Sequence, residues 1–179
     1  INDDYKVRFE LLEKARPVSQ SSESQGVGEP SGQRKQMITE EKTVSAAVDD
    51  VDALYKEAID YIKKNDYARA ENNLKIIVDK YPKHALSSNA MYWLGETYYV
   101  RADYKNAVTA FAAGIKKYGN GQKGPDSLLK LGISYKNLKK NKEACTAFAG
   151  LPLKYPKASK DLLTRARKEA SDLKCSKIQ

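Results

Sequence analysis

The sequence is poor in the residues that most chemical sites require. Its 179 residues include one His, two Cys, two Met and one Trp. A single His and two Cys far apart in sequence do not have the spacing of a metal-ligand set. No phosphate-binding loop, dinucleotide fingerprint or nucleophile elbow occurs either. We therefore expect no enzyme activity, no metal and no cofactor.

Long apolar runs are also absent. No stretch of about 18 apolar residues occurs, so the sequence predicts no helix inserted across a membrane. Acidic residues are scarce near the end, where residues 121–179 hold 14 Lys and Arg but 5 Asp and Glu. The net charge of +9 therefore lies in the last third of the chain. A surface of this kind can bind nucleic acid, an anionic polymer or an acidic protein, but we favour a solvated Lys-rich face that only confers solubility. Of these partners, we expect no nucleic acid.

The first 48 residues differ in composition from the rest. Residues 1–16 carry Tyr5, Phe9 and Leu12 at helical spacing, which favours the end of a coiled-coil oligomerisation helix over a disordered leader. Residues 17–48 are rich in Ser, Gln, Gly, Glu and Pro, and they bury too little apolar surface to fold alone. We interpret them as a flexible linker that precedes an α-helical domain over residues 49–179.

An internal repeat with an offset of 37 residues runs through this domain. It superimposes small residues, then aromatic residues, then alanines and large apolar residues, and then the Tyr-Pro or Tyr-Gly steps. The superimposed sets are Ala58, Gly95 and Gly132; Tyr61, Tyr98 and Tyr135; Ala70, Ala107 and Ala144; Leu74, Phe111 and Phe148; Tyr81, Tyr118 and Tyr155.

The sequence pattern of each repeat unit predicts a hairpin of two helices. We expect the small residue to admit the partner helix, and Asp66, Asp103 and Asn141 to cap the second helices at equivalent positions. The second helices should end at the Tyr-Pro steps, or at Gly119 in a left-handed conformation. Gly124-Pro125 should open the third unit. The units cover about 51–84, 88–121 and 125–158, and a capping helix with an apolar stripe covers 158–174.

This pattern resembles the tetratricopeptide repeat family. The second unit carries the resemblance through Leu94, Gly95, Tyr98, Ala107 and Phe111, and the third unit matches at the equivalent positions. The resemblance implies an all-α solenoid whose first helices line a groove for a peptide or an amphipathic helix. Tyr55 and Ile59 stand where some members of the family use Lys and Asn to clamp a carboxylate, so that clamp is absent.

The stretch AMYWLGETYYVR at 90–101 predicts that part of the groove is an exposed aromatic strip. The alternative is that Trp93 and Tyr99 only pack against neighbouring helices. The predicted groove residues are Tyr55, Ile59, Asn89, Tyr92, Trp93, Glu96, Tyr99, Leu129, Ile133 and Lys136.

The two cysteines lie where the third hairpin and the capping helix are expected to meet. Cys145 is on the second helix of the third unit, and Cys175 ends the capping helix. We favour a disulfide over two separate thiols, although the tail must bend to form it. A disulfide indicates an oxidising compartment.

A closer resemblance rests on residues 54–74, on NAMYWLGETYY at 89–99, on the two YPK steps and on DDYKVRFELLE at 3–13. These segments resemble the family of periplasmic cell division coordinators that accompany the Tol–Pal system. The resemblance implies a periplasmic, non-catalytic protein that forms trimers through its coiled coil. It implies TolA and a peptidoglycan synthase as partners, and coordination of peptidoglycan synthesis with outer-membrane constriction. The alternative is a component of an outer-membrane assembly or lipoprotein complex.

Overall fold

The computed structural model describes residues 50–175, which form seven α-helices and no strand. The predicted coiled-coil end at 1–16 and the linker at 17–48 lie outside this range. The helices are α1 (Val51–Lys63), α2 (Tyr67–Lys80), α3 (Ser87–Val100), α4 (Tyr104–Tyr118), α5 (Gly124–Asn137), α6 (Asn141–Lys154) and α7 (Lys160–Asp172).

The first six helices form three antiparallel hairpins that stack in chain order. Each helix packs against the next one, and α3 also contacts α5. The final helix, α7, packs against both α6 and α5, in the place that the first helix of a fourth hairpin would take. The result is a helical solenoid in which α7 covers the open end.

The turn inside each hairpin has the same geometry three times. Asn65, Ala102 and Lys139 lie 37 residues apart and have positive φ angles of 59°, 60° and 61°. In each case the next residue donates its backbone N–H to the carbonyl of the repeat Tyr; the distance from Asp66 N to Tyr61 O, for example, is 2.8 Å. The left-handed residue therefore ends the first helix and reverses the chain.

Two of the three predicted N-caps occur, and the third is wrong. Asp66 Oδ1 accepts the N–H of Arg69, and Asp103 Oδ1 accepts the N–H of Asn106. In the third hairpin the N-cap is Lys140, which makes no side-chain cap hydrogen bond. Asn141 is the first residue inside the helix because the 37-residue offset places Lys140, one residue earlier, at the position of Asp103.

The predicted left-handed conformation at Gly119 is also wrong. Its φ is −59° and its ψ is −27°, so the chain passes through a right-handed turn after α4. Pro125 lies in the first turn of α5, as the sequence predicts. Proline fits there because the first N–H groups of a helix have no partner within it.

The core follows the repeat. Leu74, Phe111 and Phe148 are almost completely buried, as are the small residues that face them across each hairpin. A Cβ atom placed on Gly95 or Gly132 would lie 2.5 Å from Cε1 of the facing phenyl ring. At these two positions a phenyl ring packs directly against the helix backbone, so any side chain larger than that of glycine would have to displace the ring.

The seventh helix is held by an apolar stripe and by the two cysteines. Leu162 and Ala166 are buried in the core of the third hairpin, and Ala170 and Leu173 pack against its edge. Lys174 has a φ of 55°, which bends the chain after α7. This bend brings Cys175 to Cys145, with the Sγ atoms 1.99 Å apart and the Cα atoms 5.4 Å apart, as a disulfide.

Candidate protein-binding surface

The predicted groove residues all lie on first helices of the hairpins. Two of these first helices, α3 and α5, contact each other directly, and α5 also contacts the capping helix α7. We call α3, α5 and α7 the inner layer. The second helices α4 and α6 lie behind it.

The prediction of an exposed aromatic strip is wrong. Tyr92, Trp93 and Glu96 are each only 3% exposed, and Leu129 is fully buried. Ile59 and Ile133 are also buried, at 8% and 6%. Side chains assigned to the open face from helical spacing therefore contribute to the interior of the domain.

Tyr92 is buried within a cluster of rings behind the inner layer. Its ring centroid lies 6.0 Å from that of Phe111 and 5.5 Å from that of Trp93, with an edge-on arrangement to the indole. The ammonium group of Lys123 lies 5.3 Å from the Tyr92 ring centroid. These contacts are ring-packing and cation–π interactions, which stabilise an arrangement of aromatic side chains.

Two opposite charges are buried together between α3 and α5. Lys130 Nζ donates to Glu96 Oε2 at 2.7 Å, and both side chains are less than a tenth exposed. Lys130 Nζ also lies 4.8 Å from the ring centroid of Tyr99. Glu96 Oε1 is buried and accepts no hydrogen bond within residues 50–175. The pair fixes the lateral position of α3 relative to α5, because a buried charge separated from its partner is costly.

Tyr99 stands at the edge of this ion pair. Its ring lies 5.5 Å from that of Tyr104, and Asn137 Nδ2 donates to its hydroxyl at 3.4 Å. Burial raises the pKa of the Tyr99 hydroxyl above its ordinary value. Tyr99 therefore remains neutral and acts here as a packing and hydrogen-bonding group.

A second ion pair connects α5 to α7. Lys136 Nζ lies 2.7 Å from Glu169 Oε2, and both side chains are partly exposed. Leu129 and Ile133, on the same helix, belong to the core that contains Phe148 and Leu162. The predicted groove positions of α5 thus serve mainly to hold the inner layer together.

Four of the ten predicted groove residues are partly exposed. They are Tyr55, Asn89, Tyr99 and Lys136. The surface that they offer is mixed: aromatic rings, an amide and an ammonium group already paired with a carboxylate. A surface of this kind recognises a polypeptide through a few ring contacts and directional hydrogen bonds.

The sequence prediction missed Lys130, and the repeat offset contains the signal that would have found it. Lys130 occupies the position of Trp93 in the preceding unit, and Glu96 occupies the position of Ile59 and Ile133. The stronger signal is Glu96, a charge at a position that is apolar in both other units, because such a charge needs an opposite charge on an adjacent helix.

A further network joins the first hairpin to the second. Glu71 on α2 accepts hydrogen bonds from Lys75, from the hydroxyl of Tyr98 and from Arg101. Burial acts to raise the pKa of Glu71, but these three donors outweigh it and hold the pKa below its ordinary value. The network orients α3 on α2 from the outer side of the domain.

Within residues 50–175, no group of three His, Cys, Asp or Glu side chains is arranged to hold a metal ion. None of the seven helices combines the length and the apolar character that a membrane span needs. The features that stand out in this part of the chain are packing surfaces and ion pairs.

The hairpin stack has the same fold as solved tetratricopeptide repeat structures. The first tetratricopeptide repeat domain of Spaghetti (RPAP3), solved with the HSP90 peptide SRMEEVD, is 15% identical with a TM-score of 0.56. That similarity covers 69% of this chain and 92% of the other. The N-terminal domain of stress-induced protein-1 (STI-1) from C. elegans is 9% identical with a TM-score of 0.57, over 66% and 93% of the two chains. The fold is therefore that of a tetratricopeptide repeat protein, as the repeat predicts.

The family can be stated more narrowly than the fold. Residues 48–167 match the family described as YfiO: Outer membrane lipoprotein, which is more than half of the chain. The chain belongs to this family. No curated protein matches the sequence.

Proposed function

We propose that the chain is a non-catalytic scaffold of the bacterial envelope that binds protein partners through its inner layer. The observation that carries this proposal is the family match over residues 48–167. The fold supports it, because stacked helical hairpins present an extended surface to a polypeptide. The Cys145–Cys175 disulfide supports an oxidising location such as the periplasm.

In its more specific form, the proposal makes the protein a periplasmic coordinator of cell division in the Tol–Pal system. This form rests on the resemblance of residues 54–74 and 89–99 described above. Its partners are TolA and a peptidoglycan synthase, and the protein links peptidoglycan synthesis to outer-membrane constriction. Residues 1–16 form the coiled coil of a homotrimer in this proposal.

A second candidate is a component of an outer-membrane assembly or lipoprotein complex. The description of the matched family favours it directly. Both candidates place the protein in the envelope and give it protein partners. They differ in which partner occupies the inner layer.

Titration of the full chain with the purified periplasmic part of TolA separates the two candidates. Trp93, the single Trp of the chain, reports on the inner layer by fluorescence, and calorimetry gives an independent affinity. The test variant is Asn89→Arg, which adds bulk and charge at a partly exposed position of α3. We expect it to weaken binding about tenfold, because the longer charged side chain obstructs a partner that lies against this part of α3.

The matched control is Asn72→Arg, the same substitution at an exposed position of α2. It should leave the affinity for TolA unchanged. If TolA does not bind the unmodified chain by either method, the Tol–Pal form is rejected. In that case, recovery of outer-membrane assembly proteins by crosslinking in cells would support the second candidate. If TolA does bind, equal weakening of its affinity by both Arg variants would reject the inner layer as the binding surface.

A further inference from the structure

A cavity of about 680 Å³ opens at the edge of the domain where one hairpin connects to the next. Its volume lies within the roughly 300–1,000 Å³ typical of ligand clefts. The connections after α2 and after α4 form its walls, and the end of α6 contributes one side chain. It is lined by Pro82, Lys83, His84, Ala85, Ser88, Ile115, Lys116, Lys117, Tyr118, Gly119, Asn120, Gly121 and Lys154.

The charge of this cavity is of one sign. Lys83, Lys116, Lys117 and Lys154 come from three separate parts of the chain, and all four are exposed. None of them forms an ion pair within the part of the chain that the structure describes, and the lining contains no Asp or Glu. Elsewhere in the domain, Lys130 and Lys136 are each held by a glutamate. Lys117 and Lys154 lie over the rings of Tyr118 and Tyr155, and these contacts do not neutralise their charge.

The cavity is held in shape by hydrogen bonds between its walls. The hydroxyl of Tyr118 donates to the carbonyl oxygen of Pro82 at 3.0 Å and joins the two connections. Ser87, the first residue of α3, donates its hydroxyl to the carbonyl oxygen of Tyr81. Helix α3 starts beside the cavity and has no side-chain cap, so its positive end adds to the field at Ser88.

Helix-end compensation explains only part of this arrangement. Lys116, Lys117 and Lys154 lie in the last turns of α4 and α6, where a cation offsets the negative end of the helix dipole. Lys83 and His84 lie in a connection instead. Compensation therefore accounts for three of the four lysines, but neither for Lys83 nor for the position of all four around one cavity. A shared anionic ligand accounts for it, because each ammonium group then gains a partner.

We propose that this cavity binds phosphate groups of anionic lipid headgroups, so that the connecting edge of the domain lies against a membrane surface. The choice of a lipid as the source of the phosphate rests on the proposed envelope location. The cavity is open, its lysines are exposed around it, and it is much larger than one phosphate group. An extended array of headgroups fits these features better than a single small anion does.

Vesicle flotation with the full chain tests the proposal. The probes are vesicles containing phosphatidylglycerol and, for comparison, vesicles of phosphatidylcholine alone. The test variant carries Lys83→Gln, Lys116→Gln, Lys117→Gln and Lys154→Gln. Since a Lys near an anionic bilayer contributes about fivefold to binding, we expect the loss of four to lower the partition coefficient by roughly 600-fold. Binding of the unmodified chain should also weaken steeply with added salt.

The matched control removes four lysines from the opposite edge of the domain, where the turns within the hairpins lie. It carries Lys105→Gln, Lys139→Gln, Lys140→Gln and Lys142→Gln, all at exposed positions, and has the same net charge as the test variant. Binding lost only in the test variant supports the proposal. Equal loss in both variants means that net charge alone drives binding and overturns it.

Two further outcomes also overturn the lipid site. One is that the chain does not float with phosphatidylglycerol vesicles. The other is that inorganic phosphate binds the chain but the vesicles do not, which would make the cavity a site for a small anion. The same lysine variants are also titrated with the protein partner. This measurement keeps the lipid test separate from the scaffold proposal, because the cavity can fail to bind lipid while the inner layer still binds its partner.

Discussion

At the scale of single residues, the hairpins are built around a ring that packs on a backbone. Phe111 fills the space where Gly95 has no side chain, and Phe148 does the same at Gly132. The first hairpin uses a different combination, since the repeat places Ala58 opposite Leu74, and both are fully buried. The small residue has gained a methyl group and the large residue has a shorter side chain in place of the ring, so the packed volume stays similar across the three units.

This packing predicts the effect of Gly95→Ala. On helix propensity alone, alanine would stabilise α3 by about 1 kcal/mol. The added Cβ would lie 2.5 Å from the Phe111 ring, however, and must displace it. We expect a net loss of about 1–3 kcal/mol in the free energy of unfolding, as for other overpacked cores. Denaturant unfolding followed by circular dichroism measures it.

The double variant Gly95→Ala with Phe111→Leu is the control for this prediction. It rebuilds in the second hairpin the pair that the first hairpin already uses. The double variant should be more stable than the sum of the two single effects by about 1 kcal/mol or more. Simple additivity of the two substitutions would contradict the packing explanation.

At the scale of helices, ion pairs contribute to the placement of successive hairpins on each other. Glu71 on α2 pairs with Arg101 at the end of α3, and Glu96 on α3 pairs with Lys130 on α5 within the inner layer. The first contact is partly open to water, whereas the second is buried. Loss of one partner should therefore cost far more in the inner layer.

Lys130→Met tests the buried contact. Methionine keeps much of the volume of lysine but leaves Glu96 buried without its partner. We expect the free energy of unfolding to fall by about 3 kcal/mol or more, which is typical when one member of a buried pair is removed. Thermal or denaturant unfolding of the variant measures this loss.

The double variant Glu96→Gln with Lys130→Met removes both charges and serves as the control. It should recover most of the stability lost in Lys130→Met, because no buried charge remains. A double variant as unstable as the single one would show that the lysine stem, rather than the charge pairing, holds α3 against α5.

At the scale of the whole molecule, each hairpin contacts its neighbours and the last one depends on α7. Leu162 and Ala166 supply the buried face of α7, which is otherwise strongly polar. The Cys145–Cys175 disulfide connects the end of this helix back to α6 across 30 residues of sequence. The disulfide thus prevents the capping helix from separating and exposing the core around Leu151.

Reduction of the disulfide should destabilise the domain by about 3–4 kcal/mol, the loop-closure value for a ring of this length. Hydrogen exchange should show the first loss of protection in α7. The measurement is an unfolding curve of the oxidised chain with and without a thiol reductant.

The variant Cys145→Ala with Cys175→Ala is the control for reduction. It should be as stable as the reduced chain and should not respond to the reductant. An unfolding midpoint of the unmodified chain that is indifferent to reductant would contradict a stabilising role for the disulfide.

Much of the fold followed from the sequence, because the repeat encodes contacts that are local along the chain. The 37-residue offset identified the small residues at which the partner helix approaches closely and the Asp caps of α2 and α4. Helical spacing alone identified the apolar stripe of α7. The pairing of the two cysteines could be predicted because both were assigned to neighbouring helices. The N-cap predicted at Asn141 is wrong by one residue, because the prediction followed the better capping side chain and not the repeat position.

The candidate site was less predictable, for a physical reason. Helical spacing tells which side chains share a face, but the burial of that face depends on helices that come from distant parts of the chain. The sequence by itself determined three hairpins, their order and the seventh helix, and it favoured the cysteine pair, which the bend at Lys174 brings together. Only the tertiary structure decided that Tyr92 and Trp93 are buried, that Lys130 meets Glu96, and that the lysines of the connecting edge surround one cavity. Each of these features depends on how one hairpin is placed laterally on another. That placement is set by many small packing and electrostatic contributions, which no local sequence pattern contains.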